Sequence, residues 1–191
     1  MGQRMFVALV PPDHVLEHLD EFLAPRREAA SFRWSLPEHL HVTLAFMASV
    51  PEHRLDDLVE RLGLAAARRT PFTTRVVGGG AFPDVARARV LYAGLSLTGG
   101  VRQEVDRLAA GLRIAASTAG TEIDGQRFHP HVTLARLGRP TEVTRWVQLL
   151  DGYEGPSWQA DEVSLVASHL GEGPHKRPRY EVVETFPLGA R

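Results

Sequence analysis

The chain has 191 residues, no cysteine and a formal net charge of −1 at pH 7. That length is enough for one substantial core, and the missing cysteines remove disulfides, thiolate nucleophiles and Cys-ligated zinc. The near-neutral charge leaves no global field to gather nucleic acid or an anionic membrane. No run of about 18 apolar residues occurs, so no membrane span is expected. The apolar stretch 6–10 is too short for a secretory leader, so a cytoplasmic protein is expected. Of 22 basic residues only Lys176 is a lysine, which leaves one candidate for lysine-based covalent chemistry.

Residues 5–10 (MFVALV), closed by Pro11 and Pro12, predict a buried strand. Val15, Leu16, Leu19, Phe22 and Leu23 recur at helical spacing over 13–30, and Pro25 predicts an end or kink in that helix. A strand follows at HVTLAF (41–46), then a helix over 51–69 carrying Leu55, Leu58, Val59 and Leu62 on one face. Residues 72–77 predict a strand running into Gly78, Gly79 and Gly80. The order then repeats: a strand over 89–97, a helix bearing Val101, Val105, Leu108 and Leu112, and a loop over 118–128. A second HVTLA strand, a short helix over 141–150, and two closing strands over 161–170 and 180–188 complete it. The Gly/Pro-rich basic stretch 171–179 reads as the hairpin loop between the closing strands.

The phrase HVTLA stands at 41–45 and again at 131–135, each time with a second histidine two residues upstream, at His39 and His129. The distances also match, since Val76 lies 35 residues after His41 and Val166 lies 35 after His131. This predicts an internal duplication. Two like halves associate most simply about a pseudo-two-fold axis, with the motif strands facing one cleft in a single domain over 1–191. Side chains alternate along a strand, so His41 shares a face with Thr43, and His131 with Thr133. Two imidazoles can hold one acid and one base near neutrality. Threonine hydroxyls on the same face can donate hydrogen bonds into the cleft. Strict alternation turns Arg136 away from that face. Trp34, Phe46 and Phe82 read as core, although aromatic rings can stack on bases.

The duplicated motif and its flanks resemble the two-histidine phosphoesterase superfamily, and within it the bacterial and archaeal RNA 2′,3′-cyclic phosphodiesterases, also called 2′-5′ RNA ligase-like proteins. The resemblance runs through MFVALVPP (5–12), RWSLPEHLHVTLAF (33–46), AFPDVARARVLYAGL (81–95), RFHPHVTLAR (127–136), EVSLVASHL (162–170) and RYEVVETFPL (179–188). It implies an α+β, bilobed, duplicated fold. Two largely antiparallel sheets would be related by the pseudo-two-fold axis, with helices outside and the cleft between the lobes. It implies His41 as proton donor, His131 as proton acceptor and a phosphate contact from Arg136, beside Thr43 and Thr133. Family members often carry arginine where this chain has Ala45. The implied reaction is metal-independent and cofactor-free hydrolysis of RNA 2′,3′-cyclic phosphodiester ends, or of small cyclic phosphate nucleotides, to 2′-phosphomonoesters by a monomer. 2′-5′ RNA ligation would be a side activity. Two alternatives stand beside it. The pairs His39/His41 and His129/His131 are also the spacing of a His-ligated metallohydrolase, and the same cleft would serve a protein that binds RNA ends without turnover.

Overall fold

A computed structural model describes residues 2–190. The first apolar run forms β1 (Gln3–Leu9), buried continuously from Met5 onward. Helix α1 (Asp13–Arg27) buries Val15, Leu19 and Leu23, which are four residues apart and share one face. It ends at Arg27, within a turn of Pro25 and short of residue 30, in line with the end expected at that proline. β2 (Arg33–Trp34), β3 (Val42–Val50), α2 (Leu55–Ala67), β4 (Phe72–Thr74) and β5 (Val76–Phe82) complete the first half. The second half is β6 (Ala88–Leu95), α3 (Val101–Thr118), β7 (Val132–Thr141), α4 (Thr144–Asp151), β8 (Trp158–Ala160) and β9 (Glu162–His169), with β10 (Arg179–Pro187) appended.

The fold is α+β, with two antiparallel sheets. The larger has the order β10-β9-β1-β3-β7-β6-β5, with β2 paired to β7, and the smaller joins β4 to β8. Around the β3–β7 seam the order is palindromic, since β1 corresponds to β6 and β9 to β5. The seam holds a single register pair, Val42 with Val132. These are the same residue of the two HVTLA copies, as a two-fold axis passing between them requires. The lobes are therefore β10-β9-β1-β3 and β7-β6-β5, and each takes its outer strand from the other half of the chain.

The duplication extends to an irregularity. Ala8 pairs with Thr43 but Val7 with Ala45, so β3 carries one extra residue, Leu44. Tyr92 pairs with Thr133 but Leu91 with Ala135, so β7 carries the extra Leu134. Both are β-bulges at the same motif position. The equal 35-residue spacing, by contrast, misaligns the closing strands. Val166 faces Phe6, and the residue facing Val90, the counterpart of Phe6, is Phe82. The counterpart of Val166 is thus Phe82 rather than Val76. The first half takes more chain to get there because α2 has 13 residues and α4 only eight.

Alternation along β1 divides the interior. Met5, Val7 and Leu9 join the main core beneath the helices, where α2 contributes Leu58 and Leu62 and α3 contributes Val105, Leu108 and Leu112. Phe6 and Ala8 point to the opposite face and cluster there with Val166, Phe46 and Tyr180. That second face carries the cleft. The glycine run is not a loop but part of β5. Gly78 takes a left-handed φ of 59°, which only glycine adopts without strain. A Cβ on Gly80 would come within 2.3 Å of the Tyr92 hydroxyl, so the missing side chain is what lets the Tyr92 ring lie over β5.

Candidate active site

Each motif histidine is fixed by its own backbone. His41 follows a 3₁₀ turn, Pro37–His39, and its Nδ1 lies 2.7 Å from the His39 carbonyl oxygen. His131 Nδ1 lies 2.7 Å from the His129 carbonyl oxygen. A carbonyl only accepts, so Nδ1 carries the hydrogen in both rings. The nitrogen left to exchange protons is therefore Nε2 in each case. His41 Nε2 lies 3.1 Å from Thr43 Oγ1, where the neutral ring accepts from the threonine hydroxyl. His39 and His129 thus contribute through their carbonyls. The His39 ring packs at 4.4 Å on Tyr180, and the His129 side chain is exposed.

The bulges decide what else reaches the cleft. Across them, Leu44 and Ala45 are buried consecutively, as are Leu134 and Ala135. The alternation then resumes with reversed parity, so position 136 turns back to the face of His131 and Thr133. This corrects the alternation-based expectation for Arg136, whose reasoning lacked the extra residue. The Leu134 carbonyl accepts from the Ser35 backbone N–H at 2.8 Å, which anchors β2 beside the bulge. The counterpart of Arg136 in the first motif is Phe46. Ala45, where family members often carry arginine, is buried opposite Val7.

His41, Thr43, His131, Thr133 and Arg136 all line one cavity of about 410 Å³. All five residues singled out from the sequence are brought together. The cavity wall also includes residues that sequence reasoning did not place in the site: Arg4, Arg33, Ser35, Arg177 and Tyr180, with Trp34 and Phe46 at the same wall. Phe82 is not part of that wall; its ring meets His131 edge-on at 5.0 Å. Four guanidinium groups line the cavity and no carboxylate does, in a chain whose net charge is −1. Among the described residues, no group of three or more His, Asp or Glu is placed to hold a metal ion.

The two imidazoles sit in different surroundings. His41 lies flat on Phe6, with ring centroids 4.6 Å apart at 18°, and meets the edge of Tyr180 at 5.7 Å. His131 meets Tyr92 at 5.3 Å, tilted by 59°. Burial against these rings drives the His41 pKa down to about 4. Its hydrogen bond to the His39 carbonyl opposes the fall, and His39, His131 and Arg136 deepen it. Burial lowers His131 as well, again opposed by its carbonyl partner and deepened by His129 and Arg136. Burial raises the Tyr180 phenol, and the charges of Arg136 and Arg4 pull it back. Burial thus favours both rings neutral at pH 7, inside a positively charged wall that suits an anion.

The family described as the 2′-5′ RNA ligase superfamily matches residues 11–172. An RNA 2′,3′-cyclic phosphodiesterase of Thermus thermophilus is 34% identical over 188 residues, covering 97% of this chain and 90% of its own. One from Aquifex aeolicus is 32% identical over 162 residues, covering 82% of each chain. The crystal structure of Escherichia coli LigT complexed with 3′-AMP superposes with a TM-score of 0.77 at 26% identity, covering 98% of this chain and 99% of that one. With the family match spanning most of the chain, and the duplicated histidine strands meeting in one cleft, this protein belongs to the 2′-5′ RNA ligase superfamily.

Proposed function

We propose that the protein hydrolyses RNA 2′,3′-cyclic phosphodiester ends to 2′-phosphomonoesters by two-histidine acid–base catalysis. The observation that carries this reading is the pair of motif imidazoles lining one arginine-rich cavity, each held by an Nδ1–H bond to a carbonyl so that Nε2 is the nitrogen that exchanges protons. The names of the relatives support the substrate class. Thr43 and Thr133 hydroxyls and the Arg136 guanidinium hold the non-bridging oxygens. Water attacks phosphorus and its proton passes to His131 Nε2. The bond from phosphorus to O3′ breaks, and His41 Nε2–H protonates O3′. In-line geometry requires the attacking and leaving oxygens on opposite sides of phosphorus, a demand that two histidines on strands flanking a two-fold axis suit.

His41 is the donor in this scheme, yet burial lowers its pKa to about 4 and leaves it unprotonated at pH 7. The substrate supplies the remedy. A phosphodiester brings one negative charge next to the ring and favours its protonated form, so binding takes up a proton and arms the acid. With a 5′-hydroxyl in place of water, the same groups would join it to the 2′,3′-cyclic end: the 5′-oxygen attacks phosphorus, its proton passes to His131 Nε2, and O3′ leaves protonated by His41, which is the 2′-5′ ligation expected as a side activity.

The test is an RNA ending in a 2′,3′-cyclic phosphate, incubated with excess chelator, with the product read by phosphorus NMR. A 2′-phosphomonoester is expected, at an undiminished rate and with a bell-shaped dependence on pH. A 3′-phosphate would reverse the donor and acceptor assignments. Loss of turnover with the chelator would return the protein to the metallohydrolase reading.

A further inference from the structure

The cavity wall carries more positive charge than the reacting phosphate uses. A cyclic phosphodiester has one negative charge, and Arg136, on the same face as His131 and Thr133, answers it. Arg4, Arg33 and Arg177 remain. Among the described residues none of these four arginines takes part in an ion pair. Arg33 stands directly across the β2–β7 ladder from Arg136, and like charges in that position repel. Arg177 comes from the loop between β9 and β10 and is tied to the same place, since its Nη1 donates to the Trp34 carbonyl at 2.7 Å. One bond leaves most of the guanidinium's five donors available. β2 is only two residues long, and its two residues, with the loop arginine, bring two further guanidiniums beside Arg136.

Resting on the cyclic phosphodiesterase reading, we propose that Arg33 and Arg177 form a second phosphate subsite that takes the phosphate on the 5′ oxygen of the terminal nucleoside. The preferred substrate class is then a 5′-phosphorylated or chain-terminal nucleoside 2′,3′-cyclic phosphate, and a bare nucleoside 2′,3′-cyclic phosphate is a poor one. The two phosphates of such an end lie on one ribose, and the two arginine sets face one another across one strand ladder. The repulsion between Arg33 and Arg136 is relieved when each meets its own phosphate.

The test compares three substrates with the full-length protein: adenosine 2′,3′-cyclic phosphate with a 5′-hydroxyl, the same nucleotide with a 5′-phosphate, and a dinucleotide ending in the cyclic phosphate. Wild-type protein is expected to favour the second and third by about ten- to hundredfold in kcat/KM, the size of one or two charge-assisted hydrogen bonds, mainly through KM. Arg33→Gln and Arg177→Gln, each verified as folded by circular dichroism, should each shrink that preference. Arg136→Gln should slow all three substrates together. Two separate variants on two separate elements guard against one failing to fold. Equal kcat/KM for all three substrates in the wild type, or a preference untouched by both variants, overturns the subsite while leaving the cyclic phosphodiesterase reading intact. Hydrolysis of none of the three overturns that reading itself.

Discussion

At the scale of single residues, His41 and His131 share a tautomer but not an environment, and this separates their behaviour. In the proposed reaction each is a proton-transfer group, so replacing either with alanine should lower turnover by about 10²–10⁴-fold. The double variant should lose far less than the product of the two, because the groups act on one step; steady-state kinetics beside circular dichroism checks both statements. The pKa of His41 gives a second expectation. Its ring resonances should titrate near 4 in the free protein and move upward when inorganic phosphate is added, as read by NMR. The sign of the stability effect follows. A histidine whose folded pKa lies below its unfolded value of about 6.5 binds fewer protons when folded. Its contribution is complete above that value and is lost as pH falls toward 4. Urea midpoints should drop across that window in the wild type and less so in His41→Asn.

At the scale of elements, the twin bulges and the glycine run do what residue patterns alone do not announce. The duplication, the helices and the shared face of His41 with Thr43 were legible because period and repetition are properties of the sequence. Arg136 was misplaced by alternation because a bulge has no residue signature here: Leu44–Ala45 and Leu134–Ala135 look like any apolar pair. Arg4, Arg33 and Arg177 were not picked out for a different reason. They lie far apart in the chain and meet only through the sheet order and one side-chain bond to Trp34. The strand expected over 72–77 stops short of the glycine run on residue patterns, since glycine normally weakens strands, whereas β5 continues through it. Here it clears room for a ring. Gly80→Ala should accordingly destabilise the fold by about 1–3 kcal/mol, seen as a lowered Tm. Adding Tyr92→Ala should cost less in that background than in the wild type, because the clash it relieves is with the Tyr92 ring.

At the scale of the whole molecule, the outer strand of each lobe belongs to the other half of the chain, with β9 beside β1 and β5 beside β6. Neither half can close its own sheet. Fragments 1–84 and 85–191 should each be largely unstructured alone and regain strand content and catalysis when mixed, measured by circular dichroism and turnover; a folded isolated first fragment would contradict the exchange. The same exchange speaks to ancestry. A half-length forebear with this wiring would complete a sheet only with a second copy of itself, and the cleft would open where the copies met. In such a pair the two histidines are one gene position, and neither can specialise. Fusion into a single chain breaks that tie. Phe46 can then stand where Arg136 stands, Phe6 can lie flat under one imidazole, and the two imidazoles can be tuned by separate mutations.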